Sequence, residues 1–260
     1  MKPSRVPLVV TWTVIAFFYI PIVILVANSF NSSRFGGSWE STSLKWYIRL
    51  MNEPSIWHAL RNTLIIAAAA TLVSMVLGTS AAFALHRFAG SRLQKLHYSI
   101  IYTPLVLPEI LMGLSLLLFF VALKVQLGLA TIAVAHVTFC LSYVAMTVLA
   151  RLQDFDFAIV EAAQDLGAGW WTTVWRVLLP MLAPGILAGG LLAFTLSIDD
   201  FVISFFVAGP GSTTLPIKIY SMIKYGAPPL INALSTLLLA VTFLCVIASQ
   251  YLTNRDRKAA

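Results

Sequence analysis

The sequence predicts an all-α integral membrane protein with six spanning helices, and three observations carry that prediction. Of its 260 residues, 59% are hydrophobic and only 10% are charged, and the mean hydropathy is +0.88, outside the composition of soluble domains. The apolar residues fall in six runs of the roughly 20 residues a bilayer requires, at about 7–27, 62–85, 98–123, 129–150, 181–207 and 231–252. The runs leave no stretch long enough for a separate catalytic domain, so 1–260 reads as a single transmembrane domain. The formal charge of +7 comes from basic residues at the ends of apolar runs. That placement speaks for membrane topology and against a nucleic-acid surface.

The first run follows Lys2 and Arg5 and is too long for a cleaved leader, which makes it a signal anchor with its N-terminus inside. The connection to the second run holds Trp39, Trp46, Tyr47 and Trp57, suited to an interfacial belt. The second run is rich in small residues, Ala67 to Ala70 and Gly78 to Ala82, which let helices approach closely. Arg87, Arg92 and Lys95 place the next connection inside, and a short turn around Gly128 joins runs three and four. After run five, Pro216 can open a short helix in a segment that carries Tyr220, Met222 and Tyr225. The sixth run ends in Arg255, Arg257 and Lys258, which places both termini inside. Cys140 and Cys245 lie within apolar runs and read as small buried hydrophobes.

The most polar internal stretch is 151–180. Asp156 can cap a short helix in which Ala158, Ile159, Ala162, Ala163 and Leu166 share a face, with Glu161 and Gln164 off it. Gly167 suits the left-handed residue that ends such a helix. Pro180 is expected to break the chain before run five. An amphipathic connection between two spans would account for the pattern by itself.

Carboxylates are costly in a bilayer and mark cavities or partners. Glu109 falls about halfway along run three, after Pro104 and Pro108, while Asp199 and Asp200 fall toward the outer end of run five. On a continuous helix the two aspartates diverge by about 100°, so that Asp200 shares a polar stripe with Ser197 and Ser204. Asp199 falls with Val202, Ile203 and Phe206, a face for subunit packing. His136, Cys140, Tyr143 and Thr147 form a stripe along run four. The lone His suits an interhelical hydrogen bond, and no metal site is assigned. Carboxylates along an apolar and aromatic path suit a flexible polycation, although a proton relay would use the same groups. On that basis the candidate pathway residues are Asp200, Asp199, Glu109, Tyr143 and Tyr220.

The segment Glu161-Ala162-Ala163, with Gly167 four residues later and Leu179-Pro180 beyond, resembles the EAA loop of ABC-importer permeases. The wider segments NSFNSSRF, HVTFCLSYV, FTLSIDDFVISFFVAGP and LPIKIYSMIKYG are similar to permease subunits of the spermidine/putrescine importers, over nearly the whole chain. The resemblance implies the type I, MetI-like permease fold in a bacterial inner membrane. It also implies a homologous second permease, two copies of a cytoplasmic ATPase and a periplasmic polyamine-binding protein. Glu161, Ala162, Ala163, Asp165 and Gly167 would then contact the ATPase. No G-x-x-x-x-G-K-[ST] phosphate loop occurs, so ATP and Mg are expected on the ATPase, with no cofactor and no catalysis on this chain. Spermidine and putrescine both remain open, as does an importer for another amine or an amino acid. Where the family pattern has Asp after the proline of run three, this chain carries Glu109.

Overall fold

The computed structural model describes residues 6–34, 38–226 and 228–259, and past Leu244 it describes a side chain at Ile247 alone. Lys2, Arg5 and the side chains of Cys245, Arg255, Arg257 and Lys258 therefore lie outside the described residues. Two compact units divide the chain, one of residues 1–57 with 219–260 and one of residues 58–218.

In the first unit, α1 (Val6–Ser29) packs on α12 (Pro228–Ala259), which also meets α2 (Lys45–Met51). No residue in the apolar window of α1 is buried, so its surface is left for lipid or another subunit. The connection from α1 to α2 is organised by Asn31. Its side chain accepts from the backbone N–H of Ser33 and Glu40, each at 3.1 Å, and donates to the Ser38 carbonyl at 2.8 Å. Trp46 is 7% exposed and donates its indole N–H to the Asn31 carbonyl at 2.8 Å. Trp57 donates likewise to the Leu50 carbonyl. Of the expected tryptophan belt, only Trp39 stays well exposed, because the other two have found backbone acceptors that make burial cheap.

The second unit is built around α6 (Leu129–Gln153). Ala135, Phe139, Val144, Val148 and Leu152 of this helix are buried in one core. It packs extensively on α9 (Leu179–Asp199). Small residues set that approach, since a Cβ on Gly189 would lie 3.2 Å from the Val144 Cα. On α3 (Pro54–Arg87), a Cβ on Gly78 would meet the Val144 side chain at 2.8 Å. Ala67, Ala70 and Ala82 of α3 are fully buried, in keeping with the small residues of run two.

Among the described residues, four helices are long and apolar enough to span a bilayer, or five spans where the bent pair of run three counts as one. The sixth run lies on α12, where the apolar stretch Pro229–Leu244 is described. Run three is interrupted at its prolines. It comprises α4 (Arg92–Val106) and α5 (Glu109–Ala122), bent by 110°. Leu107 and Pro108 adopt extended ψ values of 135° and 133°, because proline excludes the preceding residue from the helical region and lacks the N–H a helix needs. Glu109 accordingly opens α5 rather than lying mid-helix.

Run five is also interrupted. α9 stops at Asp199, Asp200 is extended with ψ 119°, and α10 (Val202–Val207) follows. The expected 100° divergence of the two aspartates on one helix therefore does not apply. At its other end the run starts earlier than expected. α8 (Trp170–Thr173), a π-helical turn at Val174–Leu178 and α9 form one helix through Pro180. The widened turn accommodates the missing N–H, so Pro180 does not break the chain.

Beyond α10, the Gly209 N–H donates to Ser212 Oγ at 2.8 Å and that hydroxyl donates back to the Gly209 carbonyl at 2.7 Å. A Cβ on Gly209 would collide with the Leu127 carbonyl, and backbone on both sides leaves nowhere to move. Gly209→Ala should therefore destabilise the α10 end of this unit by about 3 kcal/mol, the upper part of the overpacking range. The measurable outcome is a lower melting temperature of purified protein. An unchanged melting temperature would show that the α5–α6 turn yields freely.

Candidate functional site

A cavity of about 360 Å³ opens where the two broken runs meet α6, and Glu109, Tyr143, Asp199 and Asp200 all line it. Two helix C-terminal ends contribute to the wall, α4 through Leu105 and α9 through Leu196 and Asp199. Such ends carry partial negative charge and carbonyls without helical donors. Pro108 adds to this, because it cannot donate to the carbonyl four residues back, that of Pro104, which also lines the cavity. Met112, Phe139 and Phe201 supply apolar and aromatic wall. Among the described residues, no Lys, Arg or His lines the cavity. An acidic chamber with aromatic sides can hold a cationic solute with apolar spacers.

The carboxylates are not equivalent. Asp200 Oδ2 accepts the Ser204 N–H at 2.8 Å and lies 3.2 Å from His136 Nε2, while Oδ1 takes the Ile203 N–H at 3.3 Å. Its side chain is 5% exposed. This aspartate thereby caps α10 and ties it to α6. His136, 1% exposed, also meets Ser197 Oγ at 2.7 Å and Ser204 Oγ at 2.9 Å, so the ring joins α6 to both pieces of run five. Asp199 and Glu109 are exposed and have no hydrogen-bond or ion-pair partner among the described residues. Tyr143 is half-buried. Tyr220, on α11 (Leu215–Lys224), belongs to the first unit and does not line the cavity. Sequence reasoning passed over Phe139 and Phe201, although Phe139 lies one turn before Tyr143 on α6 and could have been found by that spacing.

The polar stretch 151–180 forms α7 (Ala158–Asp165) between α6 and α8. Asp156 Oδ1 accepts the Ala158 N–H at 3.0 Å, and Gly167 ends the segment with φ +86°, a conformation in which a Cβ would be strained. The residue that anchors α7 is Val160, which sequence periodicity left off the apolar face. Ile159, Ala162 and Leu166, expected together on that face, all point away from the core, Leu166 at 90% exposure. Glu161 and Asp165 are exposed beside them. The result is an anchored short helix with an uncovered apolar and acidic surface.

Residues 74–258 match the protein family described as binding-protein-dependent transport system inner membrane component. The chain belongs to that family. It is 44% identical over 242 residues to the spermidine/putrescine transport system permease protein PotC of Escherichia coli (strain K12), covering 93% of this chain and 91% of that one. It is also 44% identical over 248 residues to the putrescine transport system permease protein PotI of the same organism, covering 93% and 88%. Among solved structures, a bacterial ABC transporter involved in import of the acidic polysaccharide alginate superposes with a TM-score of 0.74, over 96% of this chain and 98% of that one, at 14% identity. At that identity the likeness establishes the fold alone. The protein is thus a multi-pass inner-membrane component of a transport system with the ABC-importer permease fold.

Proposed function

We propose that this protein is a permease subunit of an ABC importer that moves polyamines, spermidine or putrescine or both, inward across a bacterial inner membrane. The acidic cavity carries this reading, because among the described residues its lining offers three carboxylates and two helix C-terminal ends but no positive side chain. An amino acid would bring a carboxylate of its own, which such a lining repels. The 44% identity to permeases named for spermidine and putrescine supports the same solute class.

In this reading Asp199 and Glu109 receive ammonium groups, Tyr143 and the phenylalanines face the methylene spacers, and Asp200 holds the site together. The chain works with a homologous second permease, two ATPase copies that carry ATP and Mg, and a periplasmic polyamine-binding protein. Both termini and α7 are cytoplasmic. Glu161, Ala162, Ala163, Asp165 and Gly167 form the ATPase contact. Closure of the ATPases moves α7, whose Val160 anchor passes the displacement to the core containing α6, and the cavity alternates between the two sides of the membrane.

The test is uptake of radiolabelled spermidine and putrescine into proteoliposomes holding the full complex with ATP inside the ATPase compartment. Glu161→Lys is expected to lower uptake about thirtyfold, the effect of about 2 kcal/mol lost from a charged contact, while solute binding stays intact. Uptake driven by a proton gradient without any ATPase would overturn the reading.

A further inference from the structure

A second cavity, of about 590 Å³, lies beside α7 and takes no part in the proposed solute path. Its wall is mainly apolar, with Phe83, Phe88, Phe157, Val160, Trp170 and Trp171 among the lining residues. His86 is stacked on Phe157, with centroids 4.8 Å apart and planes 12° apart, and so belongs to the wall. Arg87 also lines it, is exposed, and has no ion pair among the described residues. Among the described residues, no carboxylate lines it. The cavity therefore has the opposite polarity to the solute chamber, and a polycation is excluded from it.

Its position narrows the occupant. α3, a spanning helix, ends at Arg87, and the spanning helix that includes α9 begins at Trp170, so the cavity lies where two spans leave the bilayer. Trp170 and Trp171 are 62% and 73% exposed, as aromatic side chains at a membrane boundary are. Arg92 and Lys95, at the start of α4 after the same connection, are also exposed. We propose that this cavity seats an anionic phospholipid from the leaflet on the α7 side, with the phosphate on Arg87 and an acyl chain along the aromatic wall. The size suits a small amphiphile, and a basic pocket between spans at this level is the arrangement that binds anionic headgroups. Val160 of α7 forms part of the wall, so the lipid would brace the element that the ATPase is proposed to move. The proposal relies on the membrane orientation given above, but on no choice of solute.

Native mass spectrometry of the detergent-purified full complex, titrated with phosphatidylglycerol or phosphatidylcholine and without ATP or solute, tests it. Wild type should retain phosphatidylglycerol in preference to phosphatidylcholine. Arg87→Gln should lower phosphatidylglycerol retention about fivefold, the effect of one basic group at a membrane surface. Arg87→Lys should restore most of it, and Lys95→Gln should change it less. Trp170→Ala should weaken retention of both lipids. Equal retention of the two lipids by wild type would overturn the proposal. So would an Arg87→Gln complex that holds phosphatidylglycerol normally, or equal losses in Arg87→Gln and Lys95→Gln. Lipid retention by the permeases that disappears when the ATPases are added would instead assign the cavity to protein docking. Because no transport is measured, a wrong solute assignment leaves this result unaffected.

Discussion

Asp199→Asn and Glu109→Gln are each expected to lower ATP-dependent spermidine uptake about thirtyfold without loss of assembled complex. Both carboxylates are exposed in the cavity and lack partners among the described residues, so neutralising them breaks nothing in the protein itself. What is lost is a charge-assisted contact with an ammonium group, about 2 kcal/mol in each case, and 1.4 kcal/mol corresponds to tenfold. Asp199 stands at the end of α9, where the helix already contributes partial negative charge. Glu109 stands at the first turn of α5. Glu109→Asp keeps the charge and shortens the reach by one methylene, so it should retain most uptake while shifting the ratio of spermidine to putrescine. Uptake in reconstituted vesicles, normalised to assembled complex, decides the matter. Wild-type rates in both neutral variants would remove these residues from the solute path.

The all-α membrane fold was readable because apolar runs of bilayer length have few alternatives, and four of the five candidate pathway residues line one cavity. Where reading failed, the cause was local geometry that composition does not display. Pro108 marked a break, but a 110° bend that turns Glu109 toward the end of run five depends on which neighbours receive the two halves. Asp200 followed by Ser204 is a helix-start pattern, yet the continuous apolar run around it reads as one helix. Pro180 reads as a stop until the preceding π turn is seen to accommodate it. On α7 the periodicity identified a real apolar face but not what it meets. A single residue on the opposite side, Val160, does the anchoring. Pro216 marked the short helix that carries Tyr220, now α11, but nothing in the spacing shows that Tyr220 does not line the cavity.

Asp200→Ala should act on assembly before it acts on solute. The substitution removes the acceptor of the Ser204 and Ile203 N–H groups and leaves His136 Nε2 with Ser204 Oγ as its remaining partner. Without the carboxylate, the start of α10 and the junction with α6 are both uncovered in a nearly dry environment. Breaking a buried pair of this kind costs about 3–5 kcal/mol. Asn can still cap a helix and keeps one oxygen, so Asp200→Asn should lie between wild type and Asp200→Ala. Size-exclusion chromatography after a thermal challenge should show a large loss of assembled complex for Asp200→Ala. The surviving complex should transport at a rate closer to wild type than Asp199→Asn does. The opposite pattern, full assembly with uptake abolished, would make Asp200 the solute ligand and return Asp199 to a packing role.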